Sequence, residues 1–211
     1  SHLHQDAINT ALQEKVFKIV NSVIKNIGLL VFSDFNYGCL PQNLVEKLTK
    51  LANDNNVMLV ADSQSSSQIG DISRFEGFDL ITPTEREARI SAKNNEDGLV
   101  VLAEKLKQQS LAHNIFLKIG EEGLLIHSGA ERTGYYTDRI NALNSAPRDV
   151  AGAGDSLLIK SSGVSSSNGI TTSTDASAAS IVALNEVVLM GLLSPFNLDT
   201  LSSVFSPTIR I

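Results

Sequence analysis

Short unbroken apolar runs alternate along this chain with stretches whose apolar positions recur every three or four residues. Residues 5–26 carry Ala7, Ile8, Ala11, Leu12, Val16, Ile19 and Val20 on one side, which predicts an amphipathic helix. "IGLLVFSD" follows as a buried strand that ends on an aspartate. "PQNLVEKLTKLANDNN" predicts the next helix: Pro41 suits a first turn, and Leu44, Val45, Leu48, Leu51 and Ala52 form one stripe. "VMLVAD" and "FDLITP" are two further buried strands. In none of these runs do apolar and polar residues alternate. Strands of that kind are covered on both faces, as in a parallel sheet between helices.

The rhythm continues into the second half. "TEREARIS" and "GLVVLAEKLKQQS" predict helices, and "NIFLKIG" a strand. "EEG" is a tight turn into another strand, "LLIHS". Residues 132–148 are polar and irregular, and predict short strands and a loop. A helix is expected from Ala153 to about Val164, and another from about Thr172 to Met190. Between them "SSGVSSSNGITTST" predicts a frayed helix end and a turn at Asn168-Gly169. No internal repeat or domain boundary stands out, so residues 1–211 are expected to form a single α/β domain.

Composition narrows the function. The 211 residues are 42% hydrophobic and 19% charged, which suits one sizeable core and not a disordered chain. The formal charge is −6 and no basic run occurs, which argues against nucleic-acid and anionic-membrane partners. Cys39 is the only cysteine, so no internal disulfide can form, which fits a reducing cytoplasm. Its bland reading is a small buried hydrophobe. The longest apolar region, "IVALNEVVLMGLL", is broken by Asn185 and Glu186 and falls short of the roughly 20 residues that span a bilayer. "SHLHQDAINT" has no apolar core of a secretion signal. It also lacks a methionine, so a processed chain or a start partway into a gene is expected.

Ligands of open α/β sheets bind outside the carboxyl ends of the strands. Asp34, Asp62, Glu87, Gly120 and the loop 149–155 are all expected at such ends. Alone, each has an ordinary explanation as a cap or turn residue; their clustering at one rim points to chemistry. The loop reads "DVAGAGD" and runs into an apolar helix start. A helix N-terminus presents unpaired N–H groups and attracts phosphate. Gly152, Ala153 and Gly154 leave those N–H groups open to an anion. Asp155 beside an anion makes sense as a base that takes a proton from an attacking hydroxyl. The alternative reading is a tight turn with Asp155 as its helix cap. The four histidines, His2, His4, His113 and His127, show no metal-ligand spacing, and His127 reads as a strand-face residue.

"DVAGAGDSLL" resembles the carboxy-terminal signature of the ribokinase-like, phosphofructokinase-B type carbohydrate kinases. The resemblance implies a three-layer ribokinase-like fold, with a mostly parallel sheet between helices. It makes Asp155 the catalytic base and Gly152, Ala153 and Gly154 the anion hole for the transferred phosphoryl group. Asp149 matches the signature's first aspartate, near a monovalent-cation site, though Ala151 replaces the usual hydroxyl residue. "FSDFNYG" resembles a substrate segment of the heptose-phosphate kinases, with Asp34 and Gly38 matching and Tyr37 in place of lysine. "TPTEREA" resembles the family's Asn-x-x-Glu segment, with Glu87 as the magnesium residue and Thr84 in place of asparagine. "LKIGEEGLL" resembles the nucleotide loop, putting Gly120 and Gly123 near the ATP phosphates and Lys118 close by. The expected helix at 172–190 would then lie by the adenine pocket.

The nearest branch is the heptose-phosphate kinases, including those fused to a nucleotidyltransferase. Its Asp-Pro-Lys-Gly segment is here "ADSQSSSQIGD", so Asp62 is kept as a substrate residue but the lysine is absent. The resemblance covers about residues 25–195 and implies ATP, Mg²⁺, a monovalent cation and a sugar or sugar-phosphate partner. It also admits a homodimer and a fused nucleotidyltransferase domain. Nothing in residues 1–30 resembles the family's amino-terminal portion with its β-lid and sugar contacts. Phosphoryl transfer depends on positioning, so this chain alone is expected to phosphorylate sugars weakly or not at all. The rival reading is a non-catalytic nucleotide-binding or dimerising module derived from such a kinase. A dinucleotide-binding domain fits poorly, because no Gly-x-Gly-x-x-Gly follows the first strand.

Overall fold

The computed structural model describes residues 7–63, 70–129, 134–142, 180–184 and 187–191. Asn9 caps the first helix, α1 (Thr10–Val23), its side chain accepting from the Leu12 N–H. One turn of 3-10 helix (Ile24–Asn26) leads into β1 (Leu29–Asp34). α2 (Gln42–Asp54) starts directly after Pro41, whose fixed φ suits the helix entrance. β2 (Met58–Ser63) follows, and then β3, only Leu80–Ile81. α3 (Glu85–Ala92) and α4 (Leu99–Ser110) lead to β4 (Asn114–Lys118) and the hairpin β4–β5 (Leu124–Ser128). β6 (Tyr136–Ile140), β7 (Ser180–Leu184) and β8 (Val187–Gly191) complete the described elements.

The described strands form one sheet in the order β6-β5-β4-β3-β2-β1-β8-β7. β1 to β4 run parallel, with Val31 opposite Val60 and Leu80 opposite Asn114. β8 joins the other edge of β1, also parallel, and the outer pairs are antiparallel. All four carboxyl ends of the central strands therefore point to one rim.

Side chains alternate between the two faces of a strand. On the first face Leu30, Phe32, Leu59, Ala61, Ile81 and Ile115 meet the apolar stripes of all four described helices. α2 contributes Leu44, Val45, Leu48 and Ala52, the expected stripe. Phe32, Phe75 and Phe78 sit at its centre with ring centroids 5.2–5.9 Å apart, tilted or edge-on as aromatic quadrupoles prefer. The second face carries the smaller buried cluster Leu29, Val31, Val60 and Leu80, with Phe116 against it.

One expectation is corrected. The stretch 172–190 is not a helix where it is described: Ser180–Leu184 and Val187–Gly191 are strands, paired with Leu184 opposite Val187. An unbroken apolar run fits a buried helix and a buried strand equally. β-branched Ile181, Val182, Val187 and Val188 tip it to the strand, and the open edge of β1 supplies the ladder. No helix among the described residues is long and apolar enough to cross a membrane.

Candidate active site

β3 lies between β2 and β4, and residues 82–84 continue between their ends, the Thr82 N–H donating to the Ala61 carbonyl and Thr84 bridging to Lys118. There Lys118, at the end of β4, reaches across to Asp62 in β2, 56 residues away in sequence. Lys118 Nζ lies 2.7 Å from Asp62 Oδ1, and Thr82 Oγ1 donates to the same oxygen at 2.9 Å. By alternation Asp62 falls on the second face with Val60, and Lys118 with Phe116. The backbone fixes this arrangement: the Lys118 N–H donates to the Pro83 carbonyl at 2.8 Å.

Asp62 is fully buried, and its Oδ2 has no hydrogen-bond partner among the described residues. Burial pushes its carboxyl above the usual carboxylate range, the Lys118 ammonium and Thr82 hydroxyl pull it back, and the Glu87 charge raises it further. The Lys118 side chain keeps 17% of its surface exposed. A carboxylate and an ammonium taken from water cost several kcal/mol each, and their attraction repays this only when all lone pairs are satisfied. Here one is not.

Glu87 lies beside this pair, in the first turn of α3, and is 4% exposed. Its Oε2 accepts the Thr84 N–H at 2.7 Å, while Thr84 Oγ1 accepts the Glu87 N–H at 3.3 Å. This is a capping box, which satisfies two orphan donors of the helix start. Gly120 opens a single 3-10 turn between β4 and β5. Gly120 and Gly123 both have positive φ, +61° and +97°. A Cβ at Gly123 would collide with the Ile140 carbonyl, so that glycine is required by the packing of β6.

Asp34 lies on the other face of the same rim, and is 4% exposed. Its Oδ2 takes the Arg74 guanidinium at 2.8 Å and its Oδ1 the Asn36 N–H at 2.9 Å. Arg74 also donates to the Leu40 carbonyl and lies over the Phe75 ring at 4.8 Å, so these contacts hold the 35–41 loop. Cys39 is buried there; burial first, then the Asp34 charge, pushes its thiol up to about 11. Asp34 and Asp62 are thus brought to one rim but engaged on opposite faces. Sequence reasoning missed Arg74, Thr82 and Asn36. Thr82 carried a signal, a hydroxyl at a strand end before Pro83; Arg74 carried none.

Asp149, Gly152, Ala153, Gly154 and Asp155, with the helix expected after them, lie outside the described residues. Among the described residues no three histidine, cysteine, aspartate or glutamate side chains converge as a metal cage. Magnesium keeps most of its waters and needs few carboxylates. The orphan Asp62 Oδ2 is an acceptor suited to such a water, so the rim fits a hydrated ion near Glu87.

The sequence profile of the pfkB family carbohydrate kinases matches residues 3–158. The chain is similar to the bifunctional protein HldE of Nitratiruptor sp., 25% identical over 154 residues, covering 72% of this chain and 30% of that protein. HldE of Pasteurella multocida is 26% identical over 156 residues, covering 73% and 30%. The chain thus spans about a third of the length of these relatives. Among solved structures, Escherichia coli phosphofructokinase-2 in complex with potassium superposes with a TM-score of 0.58 at 16% identity, over 75% of this chain and 52% of that one. Arabidopsis thaliana ribokinase complexed with ribose and ATP gives 0.52 at 14% identity, over 78% and 50%. These likenesses establish a ribokinase-like α/β fold.

Proposed function

Because the chain belongs to the pfkB family of carbohydrate kinases, we propose that it forms the nucleotide-binding and catalytic-base portion of an ATP-dependent sugar or sugar-phosphate kinase, as a single α/β domain. The observation that carries the reading is the rim itself. Lys118, Asp62, Thr82 and Glu87 gather at the carboxyl ends of parallel strands, where open α/β sheets bind ligands. The ribokinase with the same fold was solved with ribose and ATP.

In this reading Lys118 and the Gly120–Gly123 turn face the nucleotide phosphates. Glu87 would hold a hydrated magnesium ion, which would neutralise charge on the transferring group. The amides of Gly152, Ala153 and Gly154 hold that phosphoryl group. Asp155 takes the proton of the sugar hydroxyl as its oxygen bonds to phosphorus and the bond to ADP breaks. Asp149 borders a monovalent-cation site; the potassium complex of phosphofructokinase-2 supports this by analogy. Asp34 shapes the 35–41 loop on the substrate side. The relatives are named bifunctional, which supports a second, fused domain, read as a nucleotidyltransferase.

A non-catalytic module is the second reading. The capping box favours it, because that box accounts for Thr84 and Glu87 without any metal. ATP-dependent phosphorylation of a panel of sugar phosphates separates the two, measured on the longest natural polypeptide that carries this sequence. Asp155→Asn is expected to lower turnover by about 10²–10⁴ while ATP still binds. Turnover that is unchanged by Asp155→Asn, or absent from the natural sequence, overturns the kinase reading. This chain by itself is expected to turn over weakly or not at all.

A further inference from the structure

The Asp62–Lys118 pair is built unlike a structural ion pair. A buried ion pair repays its desolvation only when further hydrogen bonds satisfy its remaining lone pairs. Here Thr82 and Lys118 both donate to Oδ1, while the fully buried Oδ2 has no partner among the described residues. The partner is equally lopsided. An ammonium carries three donors, and Lys118 spends one on Asp62 while its side chain stays partly exposed. The carboxylate is sunk in the sheet, and the lysine that holds it is partly exposed.

We infer that Asp62 is a positioning residue for an anion site: with Thr82 it pins the Lys118 ammonium so that the remaining N–H donors face a phosphate, and it acts on the ligand through Lys118. This rests on the kinase reading for the nature of the ligand, a nucleoside polyphosphate, and revises the expectation that Asp62 contacts sugar. A free lysine head pays side-chain entropy each time it meets an anion. One held by a buried carboxylate has already paid it.

The test is calorimetric titration of tripolyphosphate, in excess magnesium, into the natural sequence, Lys118→Met, Asp62→Asn and the double variant. Lys118→Met and Asp62→Asn are each expected to weaken binding at least about tenfold, and the double variant no further than either. Unchanged affinity in Asp62→Asn, losses that multiply in the double variant, or no binding by the natural sequence overturns the proposal. Should Asp62→Asn fail to fold, Thr82→Val reports the same coupling: about threefold weaker binding is expected, and none overturns it. Coupled tripolyphosphate binding without phosphoryl transfer by the longest natural polypeptide keeps this proposal and refutes the kinase reading. Turnover with Asp62→Asn binding as tightly as the natural sequence does the reverse.

Discussion

Thr84 stands where the family pattern has asparagine, and its hydroxyl performs a job either side chain can do: it caps α3. Replacing it with alanine removes one acceptor from the helix start and is expected to cost about 1 kcal/mol. Urea unfolding of Thr84→Ala measures this; an unchanged midpoint would contradict the capping role. Lys118 was read from the sequence as a phosphate neighbour, and its place at the end of β4 is as expected. Its contact with Asp62 was not readable, because nothing local marks a pairing across 56 positions and three strands. The same holds for Arg74 and Asp34, 40 residues apart. Strand ends can be located from pattern, whereas partners across the sheet depend on strand order.

The helices α1 to α4 follow their apolar stripes closely, and β1, β2, β4 and β5 fall on runs whose five or six residues are too short for a helix. The pattern failed at β7 and β8, where an apolar run served either geometry. It also left His127 as a plain strand-face residue. That ring is fully buried, its Nε2 2.8 Å from Glu104 of α4 and its Nδ1 2.8 Å from Thr137 of β6, so it ties three elements together. Hydrogen bonds from His127 and then Gln108 hold the Glu104 carboxyl below its ordinary 4.5, with Lys107 adding a weaker pull. A lowered folded-state value means the contact stabilises above pH 4.5 and is lost as pH falls through the lower value. Thermal melts across that window should therefore fall more steeply for the natural sequence than for Glu104→Gln. Parallel slopes would contradict the link.

The molecule as a whole places its helices and strands so that one rim collects the polar groups. Parallel order from β1 to β4 aligns four carboxyl ends, and Asp62 and Lys118 meet across the chain between them on the second face of the sheet. The family match over residues 3–158 and the ribokinase-like superposition agree with that architecture. That this rim receives the phosphates of a nucleotide is the claim on which every functional step depends. Amide hydrogen exchange of this chain, with and without magnesium–ATP, tests it most directly. Slowed exchange at residues 82–87 and 118–123 is predicted, while ATP-induced protection confined to other segments, or none at all, would contradict it.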